Sequence, residues 1–520
     1  MKKIIPAYQN IILIITILVS IGTIITTFST LSENAFTFFF NSDTLYLPSI
    51  YKDIFIDHNT LQGWHLNPSP NIFPDMIVYF IIMAFTNNFI IASFIFAILQ
   101  YLFFIYLIYK LFKTIEIPEP KIVAALSNIL MLLFFMVSLY SNDFGFTFYL
   151  VSNSYHTSAF LMALVCLILS IEYLKTNNYR KLIYIAIISI LCIISDKLFI
   201  VLYCIPLIIS MSFYLKSKKT KQILFIVATI TLTIIIGIII FNTLKNSNYL
   251  SLGVNRMFEF KSWRDCLNIL FSQMYNYIIE LNFKSTIIII SLIVFVFSTI
   301  ISTNKIFSNN KFSLYELYLI FSCIFVIVVF FTPVINGNYT GYDTLRYNIY
   351  VFYILIINSS VLVCNYIRKK NNNRIISFSI YLLLFLCTFN IIYQFNTKGI
   401  RNFFNYYPKD VELIDKISKT ESLNCGLGNY WIAKKTRMFS KNKVKIYTSL
   451  DAILIWYHVS NETVIKNSQF NFIISDNEKQ DSIINNFFNN KTRIIKSGEI
   501  KLFITPEFII NKNTNLIELK

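Results

Sequence analysis

Long apolar runs separated by short charged gaps dominate the first 394 residues of this 520-residue chain. A helix of about 20 apolar residues is long enough to cross the roughly 30 Å hydrocarbon core of a bilayer. Only 14% of the residues are charged, whereas an ordinary soluble protein has about 25%. The pattern therefore excludes a single water-soluble globule and predicts a polytopic membrane protein.

Eleven segments are predicted to cross the membrane, and the first, which follows Lys2 and Lys3, is long enough to be an uncleaved signal anchor. Asp196 and Lys197 divide one long apolar run into two short crossings that turn around this charged pair. A further short apolar helix is predicted at 76–86, beside the membrane. The eleven segments are 11–31, 88–109, 122–140, 157–174, 182–195, 198–215, 222–241, 285–303, 314–332, 346–367 and 375–394.

The net charge of +18 is distributed unevenly between the two sides that alternating crossings define. With the N-terminus in the cytoplasm, the cytoplasmic segments up to residue 394 hold 18 Lys and Arg with 4 acids, whereas the outer segments hold 8 and 11. This is the positive-inside distribution of membrane proteins, so the basic excess gives no reason to predict nucleic-acid binding. In a bacterium, the protein is then expected in the plasma (inner) membrane with its C-terminus outside the cytoplasm.

The composition changes near residue 395, where a sequence rich in Asn and Lys with short apolar runs replaces the long ones. Val411, Ile414 and Ile417 repeat at helical spacing, and short apolar runs near the end of the chain predict strands. We therefore predict an all-α transmembrane domain over 1–394, with its long outer loop at 32–75, and a small extracytoplasmic α/β domain over 395–520.

Sequence motifs for nucleotide phosphates are absent, because neither G-x-x-x-x-G-K-[ST] nor G-x-G-x-x-G occurs. An ATP-driven pump is therefore unsupported. The predicted outer segments also lack H-x-x-x-H, D-x-D and C-x-x-C, and we assign no metal ligands. The acids and histidines of loop 32–75 nevertheless leave a divalent metal ion open as a cofactor, and no other cofactor is indicated.

Loop 32–75 gathers acids, histidines, prolines and aromatic residues. Asp43 follows the first span by only a turn or two of helix, near the membrane surface, where partial desolvation makes a carboxylate a better base. It is our first candidate for a catalytic base. His65 is a candidate acid or base, with a hydrogen-bonded structural histidine as the alternative. Asp75 precedes the short helix, and we predict that it caps that helix.

Charged residues also occur at the outer ends of later spans. Asp196 and Lys197 are candidates for a functional pair at membrane depth, or they neutralise each other at a tight turn. Arg346 and Tyr347 open the tenth span, where Arg346 either snorkels to headgroups or binds a phosphate with its planar guanidinium. A modest basic cluster in loop 242–284 faces the same side and includes Arg256 and Arg264.

Together these features resemble the GT-C class of integral-membrane glycosyltransferases, which includes protein mannosyltransferases and the lipid A aminoarabinose transferase. The resemblance covers the whole architecture but few residues. It rests on the signal-anchor first span, Ser42-Asp43 in the first outer loop, the juxtamembrane helix, Arg346-Tyr347 at a late span and the outer C-terminal domain.

The resemblance implies transfer of a sugar from a polyprenyl phosphate to an acceptor on the outer face, with inversion at the anomeric carbon. Asp43 would remove the acceptor proton, and Arg346, helped by Lys197 or the basic cluster, would hold the departing lipid phosphate. The implied partners are the polyprenyl-phosphate-linked sugar and membrane lipids. The acceptor, whether glycan, lipid or protein, stays open.

One departure from the family concerns the acids of the first outer loop. Many members have two adjacent acids there, whereas Thr44 follows Asp43 in this chain. A second acid would have to come from elsewhere, and Asp143 and Asp196 are the candidates.

Three other functions compete with this interpretation. An O-antigen-polymerase-like enzyme would depend on outer-loop arginines more than on Asp43. A lipid or glycan flippase or transporter is less favoured, because charges within the spans are nearly absent and no internal duplication is visible. A structural or sensor membrane protein would tolerate replacement of the outer acids.

Overall fold

The computed structural model describes most of the chain, with gaps in several loops. Two predicted site residues, Asp143 and Arg256, lie outside the described residues, as does part of the predicted span 285–303. The described residues are 4–30, 36, 38–140, 146–215, 219–245, 250–252, 262–279, 285, 286, 288–293, 295, 296, 300, 313–337, 339–369, 373–398, 403–498, 500–511 and 513–519.

Helices build the membrane part of the protein, as the apolar runs predict. The α-helices are Ile4–Thr30, Tyr46–Tyr51, Ile77–Thr86, Phe89–Thr114, Pro120–Tyr140, Thr157–Thr176, Arg180–Ser195, Ile205–Tyr214, Thr220–Lys245, Trp263–Ile279, Leu314–Ile335, Ile349–Lys369 and Asn373–Lys398. Short 3-10 or π-helical turns occur at Lys52–Ile56, Ile72–Met76, Phe146–Val151, Ile200–Cys204 and Tyr342–Tyr347.

Seven of the described helices are long and apolar enough to cross a membrane, which supports a polytopic membrane protein. Three other predicted spans, 122–140, 182–195 and 198–215, coincide with shorter helices. The seven helical segments are Tyr8–Thr30, Phe89–Thr114, Thr157–Thr176, Thr220–Lys245, Leu314–Ile335, Ile349–Arg368 and Phe378–Thr397.

Two asparagines form the sharp turn between the juxtamembrane helix Ile77–Thr86 and the next span. Asn87 ends the first helix in the left-handed conformation, with a φ of 50°, which asparagine tolerates better than most residues. The side chain of Asn88 then accepts hydrogen bonds from the first backbone N–H groups of helix Phe89–Thr114. The local sequence therefore explains why the short helix lies beside that span.

Ion pairs mark one end of the helix bundle. Glu172 pairs with Lys110 at 2.8 Å and with Lys181 at 2.5 Å. Arg368 pairs with Glu119 at 2.9 Å. All five residues lie at or next to those ends of the spans that the charge distribution predicts to face the cytoplasm.

A small mixed sheet lies at the other end. Strand Trp64–Leu66 pairs in parallel with Leu250–Leu252 and antiparallel with Ser460–Asn461. Loops 32–75 and 242–284 and the C-terminal domain therefore share one face of the bundle, which we call the tail face.

The C-terminal part folds as an α/β domain, which we call the tail domain. Val411, Ile414 and Ile417 are buried in it, as the sequence predicts. Gly426 lies directly against the ring of Phe472, where a Cβ atom would clash. Its sheet has the strand order Lys445–Thr448, Cys425–Gly428, Phe470–Ser475, Ile500–Ile510 and Arg493–Ser497, with Ile517–Leu519 also pairing to Ile500–Ile510. Its α-helices are Lys409–Glu421, Tyr430–Phe439, Glu462–Lys466 and Glu478–Phe487, and Phe403–Asn405 forms a 3-10 turn.

A buried ion pair joins the tail domain to loop 32–75. Arg437 of the tail domain contacts Asp53, and their side chains are 5% and 0% exposed. The same carboxylate accepts hydrogen bonds from Trp64 Nε1 at 2.7 Å and from Asn59 Nδ2 at 2.9 Å. Lys52 Nζ donates to the backbone carbonyl of Arg437 at 2.7 Å. The loop and the tail domain are thus held together by charged hydrogen bonds, of which the pair between Arg437 and Asp53 is buried.

Candidate functional site

Asp43 and Arg346, which are 303 residues apart, meet at the tail face. Arg346 Nη1 lies 3.3 Å from Asp43 Oδ2. The side chain of Asn41 accepts hydrogen bonds from the backbone N–H groups of Asp43 and Thr44, each at 3.0 Å, and this turn fixes the carboxylate just after the first span. The side chains of Asp43 and Arg346 are 22% and 34% exposed. A ligand can therefore reach both groups.

The tail domain supplies a third member of this cluster. Tyr430 donates its hydroxyl hydrogen to Asp43 Oδ1 at 3.0 Å. Ser42 fixes the position of Tyr430, because its hydroxyl donates to the carbonyl of Tyr430 at 2.7 Å. Burial, and then the nearby charge of Asp43, raise the pKa of Tyr430 well above its usual value. Tyr430 therefore stays protonated and remains a donor to Asp43.

Tyr155 closes another side of the same carboxylate. Its hydroxyl accepts a hydrogen bond from Asn41 Nδ2 at 2.9 Å. Burial raises the pKa of Tyr155, and the charge of Asp43 raises it further. Asp43 therefore has two neutral phenols and one cation in its immediate surroundings.

His156 and Asp196 form a second polar pair next to the first. His156 Nδ1 lies 2.6 Å from Asp196 Oδ2, and Ser69 donates to Asp196 Oδ1 at 3.1 Å. The ring of Tyr347 contacts both clusters, because its centroid lies 5.1 Å from that of His156 and 5.3 Å from Arg346 Cζ. Asp196 thus joins the site through His156 and Tyr347 and forms no direct pair with Asp43.

The predicted capping role of Asp75 is wrong. Helix Ile77–Thr86 has no side-chain hydrogen bond at its N-terminus, and Asp75 instead accepts a hydrogen bond from Ser158 of a neighbouring span. Asp75 is 3% exposed. Burial raises its pKa to about 7, more than the hydrogen bond from Ser158 lowers it. A short π-helical turn over Ile72–Met76 carries this carboxyl into the bundle, which the sequence pattern does not reveal.

His65 lies in the mixed sheet and pairs with the tail domain. Its Nε2 lies 2.7 Å from Glu462 Oε2, and its ring is 5.3 Å from that of Tyr457. Among the described residues, no hydrogen bond joins His65 to Asp43. This placement matches the structural alternative for His65 better than the role of acid or base.

The predicted phosphate-binding residues separate into two groups. Arg346 and Tyr347 lie in the site. Lys197 instead places Nζ 3.7 Å from the centroid of the Phe241 ring. Arg264 is exposed near the start of helix Trp263–Ile279.

Tyr155, His156 and Tyr430 belong to the site but were not singled out from the sequence. His156 directly precedes the span that begins at Thr157, which was a usable signal for a histidine at the membrane boundary. Tyr430 carried no such signal, because it lies 387 residues from its partner Asp43.

The arrangement combines a fixed carboxylate, a guanidinium, phenol donors and a carboxylate-oriented imidazole at one face of the bundle. Such a set can accept a proton and bind an anion side by side. Within the described residues, no three His, Cys, Asp or Glu side chains come together as a metal-binding group. A comparison with models of protein families found no match to the chain. A comparison with curated proteins also found none.

Proposed function

We propose that the protein is a membrane glycosyltransferase, similar to the GT-C class, that transfers a sugar from a polyprenyl-phosphate carrier to an acceptor at the tail face. The observation that carries the proposal is the 3.3 Å contact between Arg346 and Asp43. This contact brings a guanidinium and a carboxylate that are 303 residues apart in the sequence into one accessible cluster, which supports roles for them as anion-binding group and proton acceptor.

The proposed reaction is a single displacement at the anomeric carbon. The acceptor hydroxyl forms a new C–O bond while its proton passes to Asp43. The bond between the anomeric carbon and the phosphate oxygen breaks, and its electron pair leaves with the lipid phosphate. Arg346 stabilises this charge, which a guanidinium does well because it offers parallel N–H donors to phosphate oxygens.

The contact between Asp43 and Arg346 also suggests an order of binding. A carboxylate paired with a cation is a weaker base than a free one. When the donor phosphate binds Arg346, it competes with Asp43 for the guanidinium and releases the carboxylate. Tyr430 keeps the carboxylate in place during this exchange. The donor therefore binds before Asp43 becomes active.

The His156–Asp196 pair has a supporting role in this proposal. The carboxylate of Asp196 orients the imidazole through Nδ1, which leaves Nε2 available to a ligand. Because His156 and Arg346 contact the same Tyr347 ring, both are placed to bind one phosphate group, to which His156 donates from Nε2 only when its ring carries both protons. Asp196 then acts through His156 and not as the second acid of a paired-acid site.

Binding of a lipid phosphate tests the proposal without knowledge of the sugar. Purified protein is titrated with undecaprenyl phosphate, alongside Arg346→Lys, Arg346→Ala and the control Arg493→Ala, which removes an exposed arginine of the tail domain with a 62% exposed side chain. Losing a hydrogen bond to a charged group costs roughly 1.5–3 kcal/mol. We expect affinity to fall about tenfold or more for both Arg346 variants and to stay unchanged for the control.

A result in which both Arg346 variants bind like Arg493→Ala would remove the phosphate-binding role. The proposed activity is then measured with a panel of polyprenyl-phosphate sugars. Arg346→Lys is informative there, because snorkelling to headgroups tolerates lysine, whereas paired donation to a phosphate does not.

A further inference from the structure

A cavity of about 310 Å³ lies beside the juxtamembrane helix, away from the Asp43–Arg346 pair. Two spans complete its walls, Phe89–Thr114 and Thr157–Thr176. Leu99 lines the cavity and is 47% exposed, so the cavity opens at the side of the bundle, where lipid surrounds the spans. Its volume lies at the lower end of the roughly 300–1,000 Å³ of small-molecule sites.

Most of the lining is apolar, and polar groups are confined to one end. Val78, Phe96, Phe103 and Met162 are typical of the walls. The polar end is formed by three side chains that contact one another: Asp75, Gln100 and Ser158. The lining of the cavity therefore matches the chemistry of an amphiphile, with apolar walls and one polar end.

The polar end has more hydrogen-bond acceptors than donors. The hydroxyl of Ser158 faces both Asp75 Oδ1 and, at 3.3 Å, Gln100 Oε1, but it carries a single hydrogen. The amide hydrogens of Gln100 are directed elsewhere, to the carbonyls of Leu150 at 3.0 Å and Ser152 at 3.1 Å. Among the described residues, Asp75 Oδ2 receives no hydrogen bond. When the Asp75 carboxyl is ionised, an acceptor without a donor at this site is costly, so a ligand that donates a hydrogen bond would satisfy this end.

We propose that this cavity binds a neutral single-chain lipid with a hydroxyl headgroup. The hydroxyl donates to Asp75 at the polar end, and the chain lies along Phe96, Phe103 and Met162 towards the mouth at Leu99. An anionic headgroup does not fit, because it would meet the ionised Asp75 carboxylate and the acceptor oxygen of Gln100. The inference is independent of the proposed transferase activity, in which Asp75 takes no part.

Photolabelling of the full chain in nanodiscs tests this site. The probes are hexadecanol and palmitic acid that carry the same diazirine in the chain, so only the headgroup differs. We expect the alcohol to label peptides from the two lining spans at least fivefold more than the acid. Asp75→Asn replaces an acceptor by an amide that can donate to either headgroup, so it should reduce the preference for the alcohol over the acid.

Two variants that block the cavity complete the test. Met162→Trp fills the interior, and Leu99→Trp narrows the mouth should the first variant fail to fold. The control is Ile81→Trp on the juxtamembrane helix, where Ile81 is 55% exposed and does not line the cavity. Labelling should fall at least fivefold in the blocking variants and stay unchanged in the control. The proposal would be overturned in favour of unspecific lipid contact if the two blocking variants and the control were labelled equally. Equal labelling by alcohol and acid in the unmodified protein would overturn it too.

Discussion

Replacement of Asp53 by asparagine should release the tail domain from loop 32–75. The carboxylate is fully buried and receives donors from Arg437, Trp64 and Asn59. In Asp53→Asn, one oxygen becomes an amide group that must itself donate. The new amide group then faces three hydrogen-bond donors. The guanidinium of Arg437 also loses its main counter-charge in a buried interface.

The magnitude follows from the burial of the pair. Removing one partner of a buried ion pair costs about 3–5 kcal/mol. Asp57 stays 3.8 Å from Arg437 and compensates in part, although its side chain is 27% exposed. We therefore expect Asp53→Asn to weaken docking of the tail domain by about 3 kcal/mol, at the low end of this range. This corresponds to roughly a hundredfold change in the docking equilibrium. The double variant Asp53→Asn with Arg437→Met should recover most of this loss, because no unpaired charge is left buried.

The assay is limited proteolysis of the purified full chain at low protease concentration, where the rate of tail cleavage follows the population of the open form. The control is Glu412→Gln, which breaks an exposed pair with Lys416 at 2.8 Å and should leave the rate nearly unchanged. Cleavage of Asp53→Asn at the control rate would refute the reasoning. So would a double variant that opens more readily than the single one.

Three further predictions concern the site and the tail domain. Asp43→Asn should reduce sugar transfer about a hundredfold or more, as loss of a positioned base does. Unchanged transfer in correctly inserted protein would show that another residue is the base. Tyr430→Phe should leave the tail domain folded but lower transfer about tenfold, measured as kcat at saturating donor, because Asp43 loses a donor; an unchanged kcat would exclude this positioning role. Burial lowers the pKa of His458 in the folded protein to about 4. As pH falls below about 6.5, the histidine is therefore protonated first in the unfolded state. The free energy of unfolding should then drop by at most about 2 kcal/mol between pH 7 and pH 5. In His458→Asn, tail cleavage measured at pH 7 and at pH 5 should show a weaker pH dependence of stability. An equally steep loss of stability would assign the pH dependence to other groups.

The sequence predicts well those features that depend on local pattern. Apolar runs locate the helices, and the buried face of helix Lys409–Glu421 follows from the spacing of its apolar residues. Asp43 and Arg346 could be chosen together because each directly flanks a span on the same predicted side. A residue that flanks a span lies near the membrane surface, so the sequence predicts roughly where both residues lie.

Features that depend on contacts between distant segments could not be predicted in this way. Asp75 was assigned to its own helix, but its partner Ser158 lies 83 residues away on another span. The contact between Tyr430 and Asp43 requires the docking of the tail domain, which is determined by side chains such as Asp53 and Arg437. Nothing in the spacing of these residues along the chain indicates that they meet.

The mixed sheet at the tail face has a consequence for the timing of synthesis. Strand Trp64–Leu66 is made early, but its antiparallel neighbour Ser460–Asn461 follows nearly 400 residues later. At about 5–20 residues per second, the first strand waits roughly 20–80 s for that neighbour. During this interval Asp43 also lacks Tyr430. A nascent chain therefore carries an incomplete site until the tail domain has folded against it, and under the proposed function it would not transfer sugar before that point.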